Sequence, residues 1–311
     1  MAKIATRESY GKALVEIGRN ENIVVLDADL SKSTKTVDFK KAFPERFFNM
    51  GIAECNMMGV AAGLSTCGKI PFVSSFAMFA SGRAYEQVRN SIGYPHLNVK
   101  ICATHAGITV GEDGASHQCN EDLALMSIIP GMMVFSPSDD IETREVIREI
   151  SKMNGPCYVR LGRMAVNTIN DFDGYKFEIG KAVLLKEGID VTLIATGIMV
   201  EKALEASEIL KDSGISARVL NIHTIKPIDK DSIIKAAKET EAIVSCEEHT
   251  IVGGLGSRVA EIISESHPAF LKRVGILDTF TESGKPDELL TKYKLTTLEI
   301  VNSAKELIKR K

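Results

Sequence analysis

Short apolar runs recur along this chain, each followed by a stretch whose apolar residues fall at helical spacing. That alternation leaves few folds open. The first series has strand-like runs at 23–26, 70–76, 99–103, 132–135 and 157–161. Helical spacing appears between them at 7–19, where Tyr10, Ala13, Leu14 and Ile17 share a face, and at 51–65, 80–92 and 141–153. A second series follows, with strands expected at 191–195, 217–222, 242–246 and 274–277 and helices at 200–210, 233–237, 256–264 and 297–309. Strands that are apolar at nearly every position are covered on both faces, the condition of a parallel sheet between helix layers. Polar, irregular sequence at 167–176, with Asp171, Asp173 and Gly174, separates the two series. We expect an α/β chain of two successive domains, each with a mainly parallel sheet flanked by helices: 1–168, a linker at 169–180, and 181–311.

Composition narrows the function classes. A net charge of −3, with Lys309-Arg310-Lys311 as the lone basic cluster, argues against a nucleic-acid or anionic-membrane partner. No apolar run nears the roughly twenty residues needed to span a bilayer, and the first residues lack a signal-peptide core. Six cysteines stand singly with no Cys-x-x-Cys pair, which suggests reduced thiols in a chain of 311 residues. The expected location is the cytoplasm.

The chemistry concentrates at 104–120, past the end of the 99–103 run. His105, His117, the adjacent carboxylates Glu112 and Asp113, and Gly107, Gly111 and Gly114 fall there together. Glycines let backbone approach a ligand closely, and open α/β sheets bind ligands past the carboxyl ends of their strands. His105, Asp113 and His117 are residue types that bind zinc or iron. A metal site therefore stands beside a polar organic substrate and a plain loop as readings of this stretch. Glu54 opens an apolar helix rich in Gly, Ala and Met. It either complements the helix dipole or sits in a dry pocket where a carboxyl group shares a proton with a ligand nitrogen. Phe76 and Phe79 are core aromatics or a platform for a flat heterocycle. Arg160 and Arg163 end the first series, either solvated or forming a phosphate clamp. The glycines of Gly253-Gly254-Leu255-Gly256 fit tight helix–strand packing, because the full dinucleotide pattern is absent, as are a Walker A sequence and a Gly-x-Ser-x-Gly elbow.

Several strings occur in an order and spacing that resemble the pyrimidine-binding domain of transketolase, a thiamine diphosphate enzyme. They are Gly51-Ile52-Ala53-Glu54, Phe76-Ala77-Met78-Phe79, Arg83-Ala84-Tyr85-Glu86-Gln87-Val88, and the 104–118 block with Gly111-Glu112-Asp113-Gly114 and His117-Gln118. Cys246-Glu247-Glu248-His249 and Gly253-Gly254-Leu255-Gly256 resemble the family's carboxyl-terminal domain, so the resemblance covers essentially the whole chain. It implies that Glu54 hydrogen-bonds the pyrimidine N1′ of thiamine diphosphate and drives the tautomer that deprotonates the thiazolium C2. Phe79 would stack on the aminopyrimidine and Phe76 would line the same pocket. His117 would face the reacting carbon, and Asp113 would hydrogen-bond the donor's C2 hydroxyl. Arg7, Ser33, His105 and Arg163 would contact the sugar phosphate, with Arg160 a competitor for the last of these roles.

The Gly-Asp-Gly segment through which the family holds Mg²⁺ and the diphosphate does not occur. The resemblance thus implies the carboxyl-terminal subunit of a split, two-chain transketolase. An amino-terminal partner subunit would hold Mg²⁺ and the diphosphate. A dimer of such heterodimers, a heterotetramer, would move a two-carbon ketol unit from a ketose phosphate to an aldose phosphate, as in the pentose phosphate pathway. Gly82 stands where many transketolases have tyrosine, and Arg83-Ala84-Tyr85 looks more like the deoxyxylulose-phosphate synthases. Such a synthase, the β subunit of a 2-oxoacid dehydrogenase, and a non-catalytic α/β assembly module are the alternatives.

Overall fold

The computed structural model describes residues 3–311. Its first sheet has seven strands in the spatial order Thr224–Lys226, Met133–Phe135, Cys157–Arg160, Lys100–Ala103, Ile70–Ser74, Ile23–Asp27, Phe47–Asn49. All neighbours run parallel except Thr224–Lys226, which pairs antiparallel with Met133–Phe135. Every residue of Ile23–Asp27, Lys100–Ala103 and Cys157–Arg160 is buried. Fully burying one Val, Leu or Ile side chain is worth about 1.5–3 kcal/mol, so these central strands anchor the layer. The second sheet runs Phe270–Ile276, Ala242–Thr250, Val191–Ala195, Ala217–Asn221, Val183–Lys186, with only the last strand antiparallel. Two mainly parallel sheets flanked by helices are what the sequence patterning calls for.

The strand order places a ligand crevice. From Ile23–Asp27 the chain moves to Phe47–Asn49 on one side, then returns to Ile70–Ser74 on the other. The space past the carboxyl ends of the two inner strands is a topological switch point, where open α/β sheets bind ligands. Helix Glu54–Thr66 begins there, burying Met57, Met58, Ala61 and Ala62. Phe76 bridges Thr104 just beyond the strands. The Tyr10 and Ser74 hydroxyls, 2.7 Å apart, tie helix Thr6–Ile17 to the same edge.

Caps fix where several helices start. Asp139, Asp229 and Thr296 accept from the N–H groups of Glu142, Ser232 and Glu299 at the heads of Asp140–Lys152, Lys230–Thr240 and Thr297–Ile308. Each such cap is worth about 1 kcal/mol.

Three features depart from the patterning. The single helix expected at 80–92 is two π-helical segments, Met78–Arg83 and Val88–Gly93, around the short α-helical segment Tyr85–Gln87. Apolar spacing does not distinguish a widened turn from an α turn, and Gly82 weakens the α alternative. The strands Phe47–Asn49, Val183–Lys186 and Thr224–Lys226 are too short to show a period, and the last joins the first sheet from the far half of the sequence. The irregular stretch after Val166 is pinned down. The Asp139 carboxylate accepts the N–H groups of Ile169 and Asn170, each at 2.8 Å, and the Tyr175 hydroxyl donates to Glu142 at 3.2 Å. The six cysteines are free thiols, and among the described residues no helix is long and apolar enough to cross a membrane.

Candidate active site

Glu54 is the first residue of its helix and only 2% exposed. Its Oε1 accepts the Ser75 hydroxyl at 3.4 Å and its Oε2 accepts Arg83 Nη1 at 2.9 Å. The Arg83 guanidinium carbon also lies 4.6 Å from the centre of the Phe79 ring, so one planar cation covers both the carboxylate and the aromatic face. Phe76 stacks against Phe79 with centroids 6.0 Å apart, and His117 meets Phe79 edge-on at 5.2 Å. Glu54, Phe76, Phe79 and His117 are thus linked into one cluster through Arg83 and the Phe79 ring. Residue type and pattern do not single out Arg83 within its motif. Its spacing of four from Phe79 is the signal that the two share a face.

A second group gathers around His105. Arg7, in the first turn of its helix, donates to the Ser33 carbonyl at 2.9 Å and lies 3.3 Å from His105 Nε2. Arginine has only donors, so Nε2 accepts and the Nδ1 proton goes to the Thr104 hydroxyl, 2.8 Å away. Burial, reinforced by the charges of Arg7, Arg163 and His117, pulls the His105 pKa down to about 3. The ring is therefore neutral, and it stacks on Phe76 with centroids 3.9 Å apart. His105 holds φ +57, a left-handed conformation that costs a non-glycine residue about 1–2 kcal/mol. Burial, then the Arg163 charge, also lowers the Arg7 pKa against the opposing pull of Glu8. Arg163 itself donates to the Val110 carbonyl and pairs with Glu112 at 3.3 Å.

Ser33 lies in the one-turn helix Ser31–Thr34, which Asp27 ties to the strand end. The Asp27 carboxylate accepts the Leu30 N–H at 2.6 Å and the hydroxyls of Thr34 and Thr36 at 2.6 and 2.9 Å. Burial nevertheless raises the Asp27 pKa. Motif and spacing do not mark this residue, although an aspartate closing an apolar strand is the signal that could have found it.

Arg160 is drawn out of the group. It is 7% exposed, ion-paired with Asp122 at 3.0 Å, and donates to the Glu248 carbonyl at 2.7 Å. Of the two arginines at this strand end, only Arg163 faces the cluster. Asp113 is exposed on the turn and has no hydrogen bond or ion pair to the cluster among the described residues. His117 is half-buried, with Nδ1 2.9 Å from the Ser116 hydroxyl. Among the described residues no three His, Cys, Asp or Glu side chains converge to hold a metal ion, His105, Asp113 and His117 included. The arrangement pairs a buried acid and two stacked aromatic rings with an adjoining cationic group, Arg7 and Arg163, around a neutral imidazole. It suits a heterocycle beside an anion-tailed substrate.

The family model for the transketolase pyrimidine binding domain matches residues 2–168, and that for the transketolase C-terminal domain matches residues 180–300. A 6-deoxy-6-sulfo-D-fructose transketolase subunit from a Clostridium species is 44% identical, over 98% of this chain and 95% of its own length. An apulose-4-phosphate transketolase subunit from Phocaeicola vulgatus is 38% identical, over 99% of this chain and 98% of its own. A solved structure described as a split gene transketolase, inactive β4 tetramer, is 54% identical and superposes with a TM-score of 0.90 over 99% of each chain. The chain belongs to the transketolase family.

Proposed function

We propose that this chain is the carboxyl-terminal subunit of a split, thiamine diphosphate-dependent transketolase that moves a two-carbon ketol unit between sugar phosphates. The carrying observation is Glu54, a carboxylate 2% exposed and joined through Arg83 to the face of the Phe79 ring, at the switch point of a parallel sheet. These residues fit the pyrimidine half of the cofactor. Bound there, thiamine diphosphate would supply the electron sink for breaking and forming a carbon–carbon bond beside a ketone.

The chain's own residues do the rest. Glu54 holds a proton at the pyrimidine ring nitrogen, a task suited to a carboxyl group withdrawn from water. Phe79 offers its face and Phe76 backs it. Arg7, oriented by the Nε2 lone pair of His105, joins Ser33 and Arg163 in holding the anionic end of the sugar. His117 faces the reacting carbon, and Asp113 selects the donor's C2 hydroxyl. The diphosphate and its Mg²⁺ fall to an amino-terminal partner subunit, in a cytoplasmic dimer of heterodimers. Two relatives named as transketolase subunits, and a split-gene relative described as an inactive tetramer of β chains alone, support that division. Phosphate and sulfonate are both tetrahedral anions, and one relative is named for a sulfo-sugar. Xylulose 5-phosphate and 6-deoxy-6-sulfo-fructose are therefore the donors to compare.

Glu54→Gln keeps size and burial and removes only the acid. In the complex with the partner subunit, turnover should fall by about 10²–10⁴-fold, with an unchanged circular dichroism spectrum. Near-wild-type turnover would rule the mechanism out.

A further inference from the structure

The turn that carries Asp113 and His117 is gripped from the second half of the chain. Gln118, 3% exposed, donates from Nε2 to the carbonyls of Gly111 and Glu282 at 3.1 and 3.0 Å, and its Oε1 accepts the Thr281 hydroxyl. The Thr281 oxygen in turn accepts from Asn120 at 3.2 Å, and the Asn120 carbonyl accepts the Thr250 N–H at 2.7 Å. At the head of the turn, Glu248 Oε1 accepts the Thr109 N–H at 2.7 Å. The three glycines lie against the same clasp. A Cβ on Gly107 would meet Glu248 Cδ at 2.2 Å, one on Gly114 would meet Ser283 Oγ at 2.5 Å, and one on Gly111 would meet Pro286 at 3.3 Å. Their φ values of +78, +75 and +86 are ones that glycine alone adopts freely.

We infer that Gln118 and Thr281 are positioning residues for the substrate end of the site. Their hydrogen bonds fix the turn bearing Asp113 and His117 against the second half of the chain, with Glu248 as a second anchor. The second half therefore sets substrate fit without touching substrate. The inference rests on the transketolase reading for its effect on turnover, but the grip itself is a property of the chain. Glu54 and Phe79 stand on other segments. Loss of the grip should therefore weaken substrate binding and spare the cofactor.

Gln118→Met and Thr281→Val remove the hydrogen bonds at nearly constant volume, and Thr281→Ser keeps the hydroxyl. In the full chain, hydrogen exchange of amides 107–117 should quicken about tenfold in the first two variants and stay at the wild-type rate in Thr281→Ser. In the complex with the partner subunit, the KM for xylulose 5-phosphate should rise about tenfold in the same two variants, with the thiamine diphosphate Kd unchanged. Wild-type exchange and KM in Gln118→Met and Thr281→Val would overturn the inference. So would a matching loss of cofactor affinity, which would mark general loosening of the fold. A wild-type complex without ketol transfer would instead defeat the transketolase reading, and the exchange rates would still decide the grip.

Discussion

Arg83 touches both groups assigned to the pyrimidine, donating to Glu54 at 2.9 Å and lying 4.6 Å over Phe79. Under the proposed function a bound ring would need the same carboxylate and the same face, so the arginine would compete with it. Arg83→Ala should tighten thiamine diphosphate binding to the reconstituted complex by several-fold in calorimetry, on the order of the 1 kcal/mol of a cation–π contact. Weaker binding would make Arg83 a cofactor contact instead. Gly107 sets a second test at this scale. Gly107→Ala must adopt φ +78 and displace the Glu248 carboxylate, which should cost about 2 kcal/mol or more in urea unfolding. Unchanged stability would show that the turn relaxes freely. The cluster at 104–120 was visible in the sequence because ionisable residues and glycines crowd together there. The pairings were not. Arg160 and Arg163 look alike in sequence, and only the Asp122 and Glu248 carboxylates, brought in from distant segments, commit Arg160 to the interior.

Among elements, helix Asp140–Lys152 carries a pH-dependent joint. Glu142 is fully buried, accepting from Ser138, Asn221 and Tyr175, with Asp139 alongside. Burial pushes its pKa to about 7. Between its ordinary value and 7 the folded chain holds a proton that the unfolded chain has lost, so this contribution to stability falls as pH rises through that window. His105 and His223, held at about 3 and 4 by burial, act with the opposite sign as pH falls below 6.5. Comparing wild type with Glu142→Gln cancels the histidines. From pH 5 to 8 the variant's unfolding free energy should gain relative to wild type by about 2.5 kcal/mol; a constant difference would contradict the assignment. Long periodic elements such as this helix were legible from spacing. The π-helical stretch that presents Phe79 and Arg83 was not, because its wider turn keeps an apolar pattern close to the α one.

At the scale of the molecule, the two sheets follow from two runs of alternating apolar and helical sequence, and that much was legible throughout. Their dependence on each other was not. Thr224–Lys226 completes the first sheet, Arg160 reaches the Glu248 carbonyl, and Gln118 is seated against Glu282 and Thr281. Each of these contacts joins residues that periodicity treats as belonging to separate units. The candidate site gathers a carboxylic acid, two stacked phenylalanine rings and two arginines around a neutral imidazole, and the function proposed above would leave the metal and diphosphate to another chain. The most direct measurement is ketol transfer from xylulose 5-phosphate to ribose 5-phosphate, with thiamine diphosphate and Mg²⁺, by this chain alone and then mixed with the amino-terminal partner subunit. Transfer by the mixture and none by the single chain is the expected result. Equal transfer by the chain alone, or a mixture that binds no thiamine diphosphate, would contradict a site shared between two subunits.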